Sequence, residues 1–149
     1  MLKTFLFATL ILGVVQGESI TAIASGTGYR SCIGYCYNSV YINVTNIITT
    51  KFSQSNPNDY PDVEQIYSIE QSEFDQLVED VGYIQLWKSV DSPIGCPDCN
   101  DQGLEWIDVY TDEQPKYGVQ FEATSTIAGY ESLVDGLRSI RQRYFSTSA

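Results

Sequence analysis

The chain has 149 residues, 8 Lys or Arg against 19 Asp or Glu, a net charge of −11 and no histidine. Such an acidic polypeptide repels nucleic acid and anionic membrane surfaces, which leaves cationic surfaces, basic proteins or calcium as the expected charged partners. Without imidazole, His-based catalytic triads, histidine-built hydrolase zinc sites and neutral-pH histidine switches are excluded; acid–base chemistry falls to carboxylates, Tyr, Lys or Cys.

The amino end predicts a secretory signal peptide: Lys3 supplies a positive charge, and Phe5 to Val15 is apolar apart from Thr9 and Gly13. This run of about eleven residues falls short of the roughly twenty needed to cross a hydrocarbon core, so membrane insertion is not expected. Val15-Gln16-Gly17 fits a small-residue cleavage site, with Ala22-Ile23-Ala24 as a second possibility. Cleavage after Gly17 leaves residues 18–149, which is 132 residues with 7 basic and 19 acidic side chains, net −12. That length suits one domain with a real core, and the tail "RQRYFSTSA" lacks the apolar stretch a lipid anchor requires. The mature protein is expected to be secreted.

Residues 18 to 29 carry Ser, Thr and Gly without a strong period and are taken as a lead-in. From Val40 the pattern sharpens, with Val40, Ile42 and Val44 alternating against Tyr41, Asn43 and Thr45 as a half-buried strand. A turn near Thr45 and Asn46 returns the chain through the β-rich run Ile47 to Phe52, forming a hairpin. The loop "SQSNPNDYPD" follows, its prolines unable to continue a ladder, and Val63 to Tyr67 forms a third strand. Ser68 and Gln71 make a capping box for a helix over Ile69–Val81, in which Phe74, Leu77, Val78 and Val81 recur at helical spacing before Gly82. "YIQLW", Tyr83 to Trp87, packs beside the helix end. Leu104–Thr111 and Lys116–Glu122 predict a second hairpin. Ser125 or Thr126 then caps a closing helix with a stripe of Tyr130, Leu133, Val134, Leu137, Ile140 and Tyr144. Arg138, Arg141 and Arg143 match the negative end of its dipole on a solvated face. The fold class is α+β: an antiparallel sheet of about five strands, in two hairpins, covered on one face by two helices.

Four cysteines stand in two tight pairs, Cys32 with Cys36 and Cys96 with Cys99. An even count behind a signal peptide predicts disulfides. Three connectivities are open, and loop-closure entropy alone favours the crossing ones, whose loops of some sixty residues constrain the unfolded chain by about 4 kcal/mol. A thioredoxin-like role for Cys96-Pro97-Asp98-Cys99 needs a helix amino terminus after the motif to lower the first thiol's pKa; here Asp98 adds a negative charge and a strand follows. Four thiolates around zinc conflict with an oxidising route. Asp98, Asn100, Gln102 and Gly103 occupy positions one, three, five and six of an EF-hand-like loop, but position twelve is Val109 where a bidentate Glu is needed. What remains is a weak calcium candidate at Asp98, Asn100 and Asp101, against the simpler reading of a disulfide-braced turn whose Gly95 and Gly103 supply unusual backbone angles.

The run Cys32-Ile33-Gly34-Tyr35-Cys36, followed by an alternating strand, a hairpin and an acidic helix start, resembles a family of small secreted and lipoprotein-like domains of unknown function with a C-x-G-x-C entry motif. The likeness spans roughly residues 31 to 140, and Gly95 to Val109 resembles a Cys-Pro-Asp-Cys, Gly, Glu-Trp-Ile run in some relatives. Tyr37 stands where the commoner pattern has proline. Because many members carry only the first pair, the resemblance implies local bridging, 32–36 and 96–99. It implies no activity and transfers no functional residue.

Asn43-Val44-Thr45 is a glycosylation sequon, with Asn43 opposite the apolar face. Trp87 and Trp106 are sugar-stacking candidates, although aromatics at such spacing are more often core. The function expected is a secreted, acidic, non-enzymatic domain without a cofactor, binding an extracellular ligand or forming part of a matrix. The alternative is a secreted enzyme: a thiol–disulfide oxidoreductase through Cys96 and Cys99, or a hydrolase using carboxylates such as Asp98, Asp101, Glu105 and Asp108.

Overall fold

The computed structural model describes residues 17–113 and 116–145. The expected leader, residues 1–16, lies outside the described residues, as do 114–115 in the second hairpin and the tail from 146 to 149. Six strands form one antiparallel sheet: β1 Ile20–Gly28, β2 Tyr37–Asn43, β3 Asn46–Phe52, β4 Val63–Ser68, β5 Leu104–Thr111 and β6 Tyr117–Glu122. Their order across the sheet is β4-β3-β2-β1-β5-β6. Among the described residues three helices accompany it: α1 Gln71–Val81, the single turn α2 Ile84–Trp87, and α3 Glu131–Phe145.

The α+β class and the two hairpins stand, but the sheet has six strands where about five are expected. The additional one is the segment read as a lead-in. β1 lies at the centre, pairing Ile23 with Ile42 of β2 on one side and with Val109 of β5 on the other. Both faces of β1 are covered, so apolar and polar residues do not alternate along it. What alternates is size: Ala22, Ala24, Gly26 and Gly28 point to one face, and Ile23, Ser25 and Thr27 to the other.

The second face is the core face. Ile23, Val40, Ile42, Ile47, Ile107, Val109, Val119 and Phe121 form a buried cluster with Phe74, Leu77 and Val81 of α1, Ile84 and Trp87 of α2, and Leu133, Val134, Leu137 and Ile140 of α3. Period two on the strands meets period 3.6 on the helices. Trp87 anchors the second hairpin from below, its indole N–H donating to the Tyr117 carbonyl at 2.9 Å while its ring meets Tyr130 edge-on at 5.0 Å.

Local starts and stops differ from the sequence expectation in three places. Val44 does not extend the apolar face; β2 ends at Asn43, whose Oδ1 accepts the N–H groups of Thr45 (2.9 Å) and Asn46 (2.8 Å), so Val44 rides the turn exposed. The Ser68–Gln71 capping box does not form. Ser68 stays in the ladder opposite Asn46, and α1 begins after Glu70 without a side-chain cap. The last helix starts after Tyr130, not at Ser125 or Thr126, because the chain first turns through Gly129 at φ 84°, with the Gly129 N–H bonded to Glu131 Oε1 at 3.1 Å. Gly82 does end α1 at φ 65°, its N–H on the Val78 carbonyl.

Candidate functional site

The helices cover one face of the sheet, and the register fixes what lines the other. Its rows run across the strands as Phe52-Tyr37-Gly28-Leu104, then Thr50-Ser39-Gly26-Trp106-Gln120, then Ile48-Tyr41-Ala24-Asp108-Gly118. Small residues of β1 thus form a floor between larger side chains of β2 and β5. A Cβ added at Gly26 would lie 2.1 Å from Trp106 Cζ2, and one at Gly28 would lie 2.2 Å from the Tyr37 ring, so both rings lean over the floor. Tyr37 stacks on Phe52 (centroids 5.0 Å, 20°) and meets Trp106 at 6.3 Å; one row further along, Tyr41 and Tyr110 meet edge-on at 5.3 Å. Tyr37 is buried, whereas Phe52, Trp106, Tyr41 and Tyr110 keep part of their rings in solvent.

Above this layer lies a groove of about 520 Å³. Tyr37, Phe52, Leu104 and Trp106 supply its apolar part, and Arg30, Gln54, Ser92, Asp108, Lys116 and Gln120 its polar part. Lys116 Nζ holds Asp108 Oδ2 at 3.0 Å, and this hydrogen bond raises the lysine's pKa above its ordinary value. Burial, helped by the charge of Asp98, pushes the Tyr37 hydroxyl up; burial and Asp108 do the same to Tyr110. Both phenols therefore stay protonated at neutral pH. Ser92 Oγ accepts the Gln120 N–H at 3.0 Å, which leaves its own hydrogen free to donate.

A second polar cluster sits on the helix side. Glu105 is buried on the core face of β5 and takes Arg138 through Nε (3.1 Å) and Nη2 (2.7 Å), Arg141 Nη2 at 2.5 Å, and the Thr124 N–H at 3.1 Å. Burial alone raises its pKa, but Arg138, Arg141 and Thr124 outweigh that and hold the carboxyl below its ordinary value. Arg141 also donates to Ser25 of β1. The three arginines of α3 are thus not merely solvated dipole partners: Arg141 is buried, Arg138 is partly so, and Arg143 bonds Glu73 of α1 at 2.7 Å.

The cysteines pair locally. Cys32 bonds Cys36 and Cys96 bonds Cys99, with Cα separations of 5.8 and 5.5 Å. The second bridge lies in a loop, with no helix following it before β5. Asp98, at φ 59°, accepts the Gly103 N–H at Oδ1 (2.9 Å) and the Arg30 N–H at Oδ2 (2.6 Å), tying the loop to the end of β1. Gly95 and Gly103, at φ 70° and 85°, provide the turns. With both Asp98 oxygens on backbone donors and Asn100 and Asp101 pointing to solvent, the loop forms a brace; among the described residues no group of three His, Cys, Asp or Glu side chains is placed to hold a metal ion.

The four carboxylates of the hydrolase alternative do not converge. Glu105 and Asp108 stand three positions apart on opposite faces of β5, each held by its own cations, and Asp98 and Asp101 belong to the loop. Asn43 Oδ1 is engaged in its own turn, with the residue partly exposed. Of the two tryptophans, Trp87 is core and Trp106 belongs to the open face. The floor beneath Trp106 escapes a search for apolar period two; the period-two recurrence of small residues from Ala22 to Gly28 is the signal that reveals it.

No protein-family model and no curated protein matches the chain. The two disulfides are compatible with an extracellular setting, and among the described residues no helix is long and apolar enough to cross a membrane.

Proposed function

We propose that this chain is a secreted, acidic, non-enzymatic binding domain whose ligand lies on the helix-free face of the sheet. The observation that carries the reading is the layer of Tyr37, Phe52, Trp106, Tyr41 and Tyr110 on a face that no helix among the described residues covers, most of its rings partly in solvent and bordered by a polar groove. An aromatic platform with a few converging polar groups is the composition of a ligand site more than of a solvated surface. The export half of the proposal rests on the leader pattern and is supported by the two bridges. Kinship with the C-x-G-x-C family rests on the motif alone and adds no activity.

The test is retention of the purified protein on a panel of extracellular polysaccharides, matrix proteins and carbonate mineral, with iodide quenching of tryptophan as the site readout. Trp87 is buried, so iodide reports Trp106. Retention on at least one support with Trp106 shielded is the expected result. Retention on none, or retention that leaves Trp106 as quenchable as before, counts against the face.

A further inference from the structure

One edge of the sheet is open, and we propose that it takes an extended, basic segment of a partner protein as a further strand. The two edges are β4 and β6. Residues 92–94 cover β6: the Ile94 N–H donates to the Gln120 carbonyl at 2.9 Å, the Glu122 N–H to the Ile94 carbonyl at 3.2 Å, and the Gln120 N–H to Ser92 Oγ at 3.0 Å. Among the described residues no backbone hydrogen bond does the same for β4. The pairing with β3 shows which groups face outward. Just past the strand, the Ile69 N–H donates to the Thr45 carbonyl at 3.4 Å. Bonded and non-bonded pairs alternate in an antiparallel ladder, so Tyr67, Gln65 and Val63 direct their N–H and C=O groups to Ile47, Thr49 and Lys51. Glu64, Ile66 and Ser68 turn theirs to the open side. The register runs without a bulge, and β4 contains neither Pro nor Lys, the common guards of an exposed edge. Val63 and Ile66 stand there 43 % and 68 % exposed.

Charge selects the partner. Asp62, Glu64 and Glu70, in the strand and beside it, enter no salt bridge among the described residues. Against these three carboxylates stands Lys51, opposite Val63 and on the other face from Glu64, its Nζ 5.9 Å from the centre of the Phe145 ring. Arg143 comes near through Tyr144, which meets Tyr67 at 4.4 Å, but it already holds Glu73. The edge is therefore acidic in a chain whose net charge is −11, so distant attraction and local contact favour the same basic partner. In strand addition the main chain supplies affinity and alternate side chains supply specificity. Glu64 and Ile66 lie two positions apart on one face, which fits a cation and a branched apolar residue at the same spacing in the added strand.

A second copy fits less well. Paired antiparallel about Ile66, two β4 strands would set Asp62 of each against Glu70 of the other, and each copy would bring its own −11. The edge is also separate from the aromatic layer around Trp106. β5 lies four strand spacings from β4, about 19 Å, so a strand added at β4 leaves Trp106 uncovered.

Fluorescence anisotropy with the purified protein tests the inference with three labelled heptapeptides. The first is Arg-Thr-Val-Thr-Lys-Thr-Val, whose cations and valines alternate along one face. The second is the same sequence methylated on its backbone nitrogens, which keeps the charge and loses the donors; the third is Glu-Thr-Val-Thr-Glu-Thr-Val. The first should bind at least about tenfold more tightly than either control. Glu64→Gln should weaken it about fivefold, the size of one exposed ion pair. Ile66→Pro removes an outward N–H and no ladder bond, and Ile66→Lys sets a like charge at an exposed position; each should weaken binding at least about tenfold, with urea midpoints checking that the sheet holds. On binding, hydrogen exchange should slow at the Glu64, Ile66 and Ser68 amides, and iodide should quench Trp106 as before. Equal binding of the methylated peptide reduces the attraction to bulk charge and overturns strand addition. Binding indifferent to Glu64→Gln overturns the basic partner, and binding indifferent to Ile66→Lys, or a peptide that shields Trp106, overturns the edge. A dimer seen in sedimentation and dissolved by Ile66→Lys puts a second copy there and overturns the partner proposed. Silence from the first peptide sinks the inference and leaves the reading of the helix-free face untouched.

Discussion

Gly26 determines how near Trp106 comes to the sheet. Its backbone does not need the left-handed region, so the demand for glycine is steric: a methyl there would meet Trp106 Cζ2 at 2.1 Å and the Asn38 carbonyl oxygen at 2.7 Å. The ring can swing outward, but the carbonyl belongs to the ladder and cannot. Gly26→Ala should therefore cost about 1–3 kcal/mol, as overpacking does, and shift Trp106 emission toward that of an exposed indole. Equal urea midpoints for parent and variant would show that the close approach constrains nothing. On the opposite face Glu105 plays the complementary part. Its removal as Glu105→Ala leaves two guanidiniums without their shared carboxylate, one of them buried, and should cost about 3–5 kcal/mol in the same assay. Replacing the whole cluster by apolar residues of similar volume should cost far less, which separates the burden of orphaned charge from the worth of the ion pairs.

At the scale of elements, what the sequence discloses depends on how each element is covered. Strands β2, β3 and β6 alternate in burial because one face is wetter than the other, and β5, buried on both faces for most of its length, is legible instead from its run of β-prone residues. β1 is covered on both faces, and only the size of its side chains alternates, so hydropathy misses it. The Glu105 cluster was illegible for a different cause: its partners lie 33 and 36 positions away, and no local pattern encodes which carboxylate meets which guanidinium. The helix pair offers a clean test of packing. Gly136, inside α3, faces Leu77 of α1, and a Cβ there would sit at 3.5 Å from Leu77 Cδ2, an ordinary contact. Gly136→Ala should raise stability by up to about 1 kcal/mol, through helix propensity and the added contact. A drop in midpoint would mean the α1–α3 interface is tighter than the geometry states. The bridges brace loops of separation 4 and 3, and on chain entropy each contributes only about 2 kcal/mol. Cys32→Ser with Cys36→Ser should then keep a cooperative unfolding transition and lower its midpoint; loss of the transition would show that the entry loop holds the sheet together.

For the molecule as a whole, pH sets two effects against each other. Lowering pH from 7 toward 5 begins to neutralise the exposed ones among the chain's 19 carboxyl side chains and relieves their mutual repulsion, which stabilises the compact state. Below that, specific carboxylates reverse the trend. Glu105 is held low despite its burial, by Arg138, Arg141 and Thr124; Glu18 by Lys88 and Thr111; Glu131 by the N–H groups at Glu131 and Gly129. Each folded pKa lies under the ordinary 4.5, so the unfolded chain binds more protons in the window between the two values. Stability from these groups is fully present above about 4.5 and drains away as pH falls through the lower folded values. Urea midpoints from pH 7 to 3 should accordingly stay level or rise, then fall, and Glu105→Gln should flatten the falling limb while starting from a lower midpoint at pH 7. Sodium chloride at 0.5 M should damp the rise more than the fall, because surface repulsion is screened and the buried cluster is not. Parallel falling limbs for parent and Glu105→Gln would transfer the acid sensitivity from this cluster to the surface charge.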